Sequence, residues 1–173
     1  MTEGLVHIYC GGGKGKTTAA LGLALRAAGS GQRVLLLQFL KDGSSSEFVS
    51  LSHVPGVEVV PQAKAFGFTW TLSEEEKAQA RDYYTGLLED AFARGGEFGL
   101  LVLDEALGAC AAGLLEEGRL LALLAGRPEG LEVVLTGRGP SQALLAAADY
   151  VTEMRAVKHP YERGVPARLG IEY

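Results

Sequence analysis

The sequence predicts an α/β protein: a mainly parallel sheet of about six strands with helices on both faces. Six apolar, β-branched runs recur along it: "LVHIY" (5–9), "RVLLLQF" (33–39), "VEVV" (57–60), "LLVLD" (100–104), "LEVVLT" (131–136) and "YVTEM" (150–154). Their apolar character is continuous rather than alternating, as in strands covered on both faces. Helical segments separate them, and strand, helix, strand in regular succession makes a parallel sheet.

The elements follow in order. The first run leads through "CGGGKG" into "KTTAALGLALRAA" (16–28), a helix rich in Ala and Leu. After the second run, residues 41–56 are polar and rich in Gly, Ser and Pro, which predicts an irregular connection. The segment 73–96 opens on Ser73 and Glu76 in capping-box spacing and closes at Gly95-Gly96, so a long helix is expected there. Its carboxylates Glu74, Glu75 and Glu76 read as first-turn charges that favour the helix dipole. Shorter helices are expected over 116–126 and 141–148, and the tail 156–173 is another Gly/Pro-rich irregular segment.

The 173 residues suit one domain, 1–173. A hydrophobic fraction of 47% with 21% charged residues is that of a soluble globular chain. Sixteen basic residues against 21 acidic give a net charge of −5, and the cations are scattered, which argues against nucleic acid as a partner. Apolar runs are too short to cross a bilayer and the N-terminus has no signal-peptide pattern, so a cytoplasmic protein without a membrane partner is expected. Cys10 and Cys110 lack metal-binding spacing and read as reduced thiols.

The chemistry concentrates in "GGGKGKTT" (11–18) between a strand and a helix. That context makes a phosphate-binding P-loop, with backbone N–H groups and the helix N-terminus turned on an anion. Gly11, Gly12, Gly13, Lys14, Gly15, Lys16, Thr17 and Thr18 are the candidate binding residues. Lys16 is expected to reach phosphate oxygens and Thr17 to place its hydroxyl on Mg²⁺. "LLVLDE" supplies Asp104 and Glu105 at the end of another strand. Asp104 reads equally as a helix N-cap, so Glu105 is the favoured metal ligand. Arg138, in "TGRG", stands at the same sheet edge, where ligands of open α/β sheets bind. Arg26 lies about 15 Å along the helix from Lys16, facing either a partner, the far end of a nucleotide or solvent. "FGFTW" holds Phe66, Phe68 and Trp70, of which Phe66 is expected in the core. A conventional P-loop ATPase or small-molecule kinase, and a non-catalytic nucleotide-binding protein, both suit these residues too.

The set "GGGKGKTTAALGLALRAAG", "VLLLQFLK", "FGFTW", "LLVLDE", "LTGRG" and "VTEMRAVKHPYERGVPARLGIEY" resembles the ATP:corrinoid adenosyltransferases of the CobA/CobO/BtuR type, in that order over nearly the whole chain. The resemblance implies a P-loop, RecA-like fold and transfer of the 5′-deoxyadenosyl group of ATP to Co(I) of a corrinoid, with triphosphate released. It makes Cys10, where the usual motif has glycine, a family feature, because the nucleotide lies reversed there. It implies that Phe68 and Trp70 pack on the lower corrin face as catalytic residues beside Lys16, excluding axial donors without donating a lone pair. His7, His53 and His159 are then expected not to bind cobalt. It implies Mg²⁺, a flavin-dependent reductant and a homodimer.

Two departures from the family stand out. Gly12 replaces a frequent Asn. The chain also begins close to the first strand, so the tail or a second subunit is expected to replace an N-terminal helix over the site. Within the tail, Arg155, Lys158 and His159 stand either near polar corrin groups or at a structural edge.

Overall fold

A computed structural model describes residues 3–41, 45–64, 66 and 71–172. Six strands, β1 (Val6–Cys10), β2 (Val34–Gln38), β3 (Val57–Val59), β4 (Leu100–Asp104), β5 (Glu132–Thr136) and β6 (Tyr150–Glu153), form one sheet in the order β3-β2-β4-β5-β1-β6. Every pairing is parallel. The helices are α1 (Lys16–Gly29), α2 (Ser46–Leu51), α3 (Glu74–Ala93), α4 (Ala106–Ala111), α5 (Glu117–Ala125) and α6 (Gln142–Ala147).

Alternate residues of the central strands point to opposite faces, and each face carries its own core. Leu36, Val102 and Val134 meet Ala20, Leu21 and Ala24 of α1 and Phe48 of α2. Leu37, Leu103 and Leu135 meet Tyr84 and Leu88 of α3, Leu107 of α4 and Leu120 of α5. Strands β2 and β4 are buried at every position, their four leading residues apolar and their last ones, Gln38 and Asp104, buried polar groups.

The capping box forms as predicted: Ser73 Oγ accepts from the Glu76 amide at 3.2 Å and Glu76 Oε2 from the Ser73 amide at 2.7 Å. Phe66 packs on the α3 core, 5.7 Å from the Tyr83 ring and 5.6 Å from Tyr84. One expectation needs correction. The connection 41–56 is not wholly irregular, because Phe48 and Leu51 give it a buried face and α2 forms. The small apolar stretch after Glu105 folds into α4, with Ala106, Leu107 and Ala109 buried. Phe68 and Trp70 lie outside the described residues.

Candidate active site

The carboxyl ends of β1, β4, β5 and β2 converge, and each ends on a group with chemistry. Beyond β1 the loop of residues 11–15 turns into α1, with Gly15 in the left-handed region at φ 113° as its N-cap. The next strand on the far side, β6, fixes this loop: the Met154 amide donates to Cys10 O at 2.8 Å and the Gly13 amide to Met154 O at 2.7 Å. A β-carbon on Gly13 would stand 2.7 Å from Met154 O, whereas one on Gly12 would meet nothing within 4 Å. Gly13 is therefore required by the chain's own backbone. Its N–H is already engaged by Met154 O.

Under the loop lies a carboxylate clasp. Asp104, at the end of β4, is fully buried. Its Oδ1 accepts from Thr17 Oγ1 at 2.8 Å and Thr136 Oγ1 at 2.7 Å, and its Oδ2 from Gln38 Nε2 at 2.8 Å. The N-cap reading of Asp104 is thereby corrected, for the cap position of α4 belongs to Glu105, in the left-handed region at φ 60°. Gln38 and Thr136 escaped the sequence reading. Their signal is the polar residue that closes each strand after an apolar run, 34–37 in β2 and 133–135 in β5, and Gln38 pairs in register with Asp104.

Glu105 turns its partly buried carboxylate toward the same space. Burial and the neighbouring Asp104 charge push its carboxyl above the usual range, against the pull of Lys41, Lys16 and Arg138. Lys16 Nζ donates to Gly13 O at 2.8 Å. Burial and the Arg138 guanidinium lower its ammonium, while Glu105, Asp104 and Cys10 oppose the shift. Arg138 is exposed, beside Gly137, on which a β-carbon would stand 2.7 Å from Leu107 Cβ and 2.8 Å from the Gly108 amide nitrogen. Lys16, Thr17, Asp104, Glu105 and Arg138 thus come together, with Gln38, Thr136 and Lys41 added. Thr18 and Lys14 lie exposed at the loop's rim.

Arg26 is not brought to this site. It lines a cleft with Glu3, Gln32, Gly99 and Glu132 at the opposite, amino edge of the sheet. The histidines lie apart. His7 Nε2 contacts Glu132 Oε1 at 2.5 Å, the His53 ring is 2.8 Å from Val49 O, and His159 Nδ1 accepts from the Tyr161 amide.

For Mg²⁺ the donors suit a hard cation. Thr17 Oγ1 donates its hydrogen bond to Asp104, which leaves the hydroxyl lone pairs available to a cation. Glu105 is a carboxylate whose charge is raised in energy by its surroundings, and a cation beside it relieves that cost.

The parallel sheet, the glycine loop opening α1 and the Thr17–Asp104 clasp define a P-loop nucleotide-binding protein. Residues 2–173 match the model of the family described as ATP:corrinoid adenosyltransferase BtuR/CobO/CobP, and the chain belongs to that family. It is 35% identical over 171 residues to a corrinoid adenosyltransferase of Pseudomonas aeruginosa, covering 99% of this chain and 84% of the relative. It is 36% identical to the corrinoid adenosyltransferase CobA of Salmonella typhimurium, covering 99% and 86%. Among solved structures, ATPases 2 and 3 of Thermomonospora curvata EccC, in complex with a signal sequence peptide, match with a TM-score of 0.52 and 20% identity. That match covers 95% of this chain and 34% of that one, and it bears on the fold alone.

Proposed function

We propose that this chain transfers the 5′-deoxyadenosyl group of ATP to the cobalt of a reduced corrinoid and releases triphosphate. What carries the reading is family membership along the whole chain, joined to a phosphate cradle of converging cations and carboxylates. The Co(I) electron pair attacks C5′, the C5′–O bond breaks, and its pair leaves on the triphosphate. So strong a nucleophile needs no general base, and the protein's tasks are alignment and stabilisation of the leaving charge.

The residues divide that work. Lys16, Arg138 and the free loop amides bind the triphosphate oxygens. Asp104 holds the Thr17 hydroxyl in one orientation, and Thr17 with Glu105 holds Mg²⁺, which when bound neutralises charge on the leaving group. By resemblance, Phe68 and Trp70 exclude water and other axial donors from cobalt so that Co(I) can form. A flavin-dependent electron donor, a homodimer and the cytoplasm complete the assignment. In support of the last, no helix among the described residues is long and apolar enough to cross a membrane.

The test is anaerobic incubation with Mg-ATP and chemically reduced cob(I)alamin, followed by visible spectrum. A light-sensitive adenosylated product is expected. Unmodified corrinoid alongside ATP consumption would overturn the reading. Phe68→Ala and Trp70→Ala should lose much more activity when Co(II) must be reduced on the enzyme than when Co(I) is supplied.

A further inference from the structure

The tail returns to the loop it left. After β6 is pinned to Cys10 and Gly13 through Met154, residues 155–170 make an exposed excursion that includes a 3₁₀ turn at Pro160–Arg163. The chain then comes back to Lys14, whose Nζ donates to Ile171 O and lies 3.9 Å from Glu172 Oε1.

The setting of Glu172 is unusual for a tail carboxylate. Arg168 Nη2 donates to its Oε1 at 2.9 Å, and Arg168 Nε and the Arg168 amide donate to its Oε2 at 3.1 and 2.9 Å. Lys14 adds an ammonium from the loop side. A forked guanidinium, a backbone N–H and a lysine around one anionic group are the donor set that recognises phosphate as readily as carboxylate. These bonds to Arg168 hold the Glu172 carboxyl down to about 2, so it is charged at any working pH. Its exposure is 22%, against 49% for Lys14 and 56% for Arg168. The anion is the more enclosed partner, with open cations around it.

We propose that Lys14 and Arg168 form an anion subsite at the rim of the phosphate loop which takes the polyphosphate end of the nucleotide, and that Glu172 fills this subsite in the free chain and is displaced on binding. The inference rests on the phosphate-loop reading above. A polyphosphate carries several charges and can also engage Lys16 and the loop amides, so it outcompetes a single carboxylate at Lys14. Arg168 stays tethered nearby and exchanges a carboxylate for phosphate oxygens. The tail is thereby a sensor of loop occupancy, closed on its own carboxylate or closed on substrate.

An ordinary brace within the tail turn would act differently. If the Arg168–Glu172 pair only stabilises the turn, removing either partner has the same consequence. If it is a filled anion site, the two removals act in opposite directions. Calorimetric titration with magnesium tripolyphosphate distinguishes them. Glu172→Gln should bind about two- to five-fold more tightly, from loss of a competing charge, and Arg168→Ala should bind more weakly by at least a similar factor. The Arg168 amide should exchange hydrogen faster once tripolyphosphate is added, because its acceptor has left. Two variants that shift together or not at all, or an unchanged amide, would overturn the subsite. Weakened binding by Lys16→Ala in the same series would then leave the loop reading standing. Failure of the unmodified protein to bind tripolyphosphate removes both.

Discussion

Replacing Asp104 tests the clasp that joins the fold to its chemistry. Its carboxylate accepts three hydrogen bonds, from Thr17, Thr136 and Gln38, and is wholly shielded from water. Asp104→Ala strands three donors in the interior. A stranded buried donor costs about 1–3 kcal/mol, and two of these are hydroxyls that can rotate toward other acceptors, so the lower end applies to them. The sum is about 3–5 kcal/mol. For a chain of this length each kcal/mol moves the melting midpoint by about 2–4 °C, so a drop of about 10 °C is expected. Asp104→Asn separates stability from chemistry. Its amide oxygen can still accept from the two threonines, and Gln38, which also accepts from Ser45 Oγ at 3.0 Å, can turn its own amide to accept from the new N–H₂. The Asn variant should therefore melt within a few degrees of the unmodified chain and yet lose most of its transferase activity. The Thr17 hydroxyl then donates to a neutral group, and the negative charge beneath the proposed Mg²⁺ site is gone. The assays are calorimetric melting and anaerobic adenosyl transfer with supplied Co(I). An Asp104→Ala chain that melts within 2 °C of the original and keeps full activity would refute the clasp.

Other perturbations follow from the same geometry. Gly13→Ala forces a β-carbon against Met154 O and should destabilise by about 1–3 kcal/mol, while Gly12→Ala, open to solvent, should change the melting midpoint little; equal effects would contradict the backbone contact. Glu105 has a carboxyl raised in the folded state, so the native chain binds its proton more readily than the unfolded chain, and stability falls as pH rises from the ordinary carboxylate range through the raised value. Glu105→Gln should therefore melt higher at neutral pH, with the advantage vanishing in acid, and should lose magnesium-dependent activity. A constant advantage at all pH values would count against the charge as its cause. Burial pushes the Cys110 thiol up to about 12 and raises Cys10 as well, so neither should react with iodoacetamide at pH 8 until the chain is unfolded. Mass spectrometry before and after denaturant checks this.

Much of this architecture was legible because burial writes itself into sequence. The stretches 34–37 and 100–103 are apolar throughout, and β2 and β4 are buried at every position. The glycine loop and the Ser73 cap are local patterns, and both formed where expected. What stayed hidden depends on register between distant segments. That Gln38 and Thr136 both reach Asp104 follows from the alignment of β2, β4 and β5, which no single segment encodes. The glycines at 11 and 13 read as room for phosphate, yet it is Met154 and Arg155 that a side chain there would strike. Distance along α1 places Arg26 about 15 Å from Lys16 without a direction, and only the fold shows that this distance leads to the other edge of the sheet.

The most direct measurement is the phosphorus NMR spectrum of a completed anaerobic reaction containing the protein, Mg-ATP and cob(I)alamin. Intact triphosphate, formed in equal amount to adenosylated corrinoid, is the result this account predicts, because attack falls on C5′ and leaves every phosphoanhydride bond in place. ADP with inorganic phosphate, and corrinoid unchanged, would contradict it and make the cradle that of an ordinary phosphoryl-transfer enzyme.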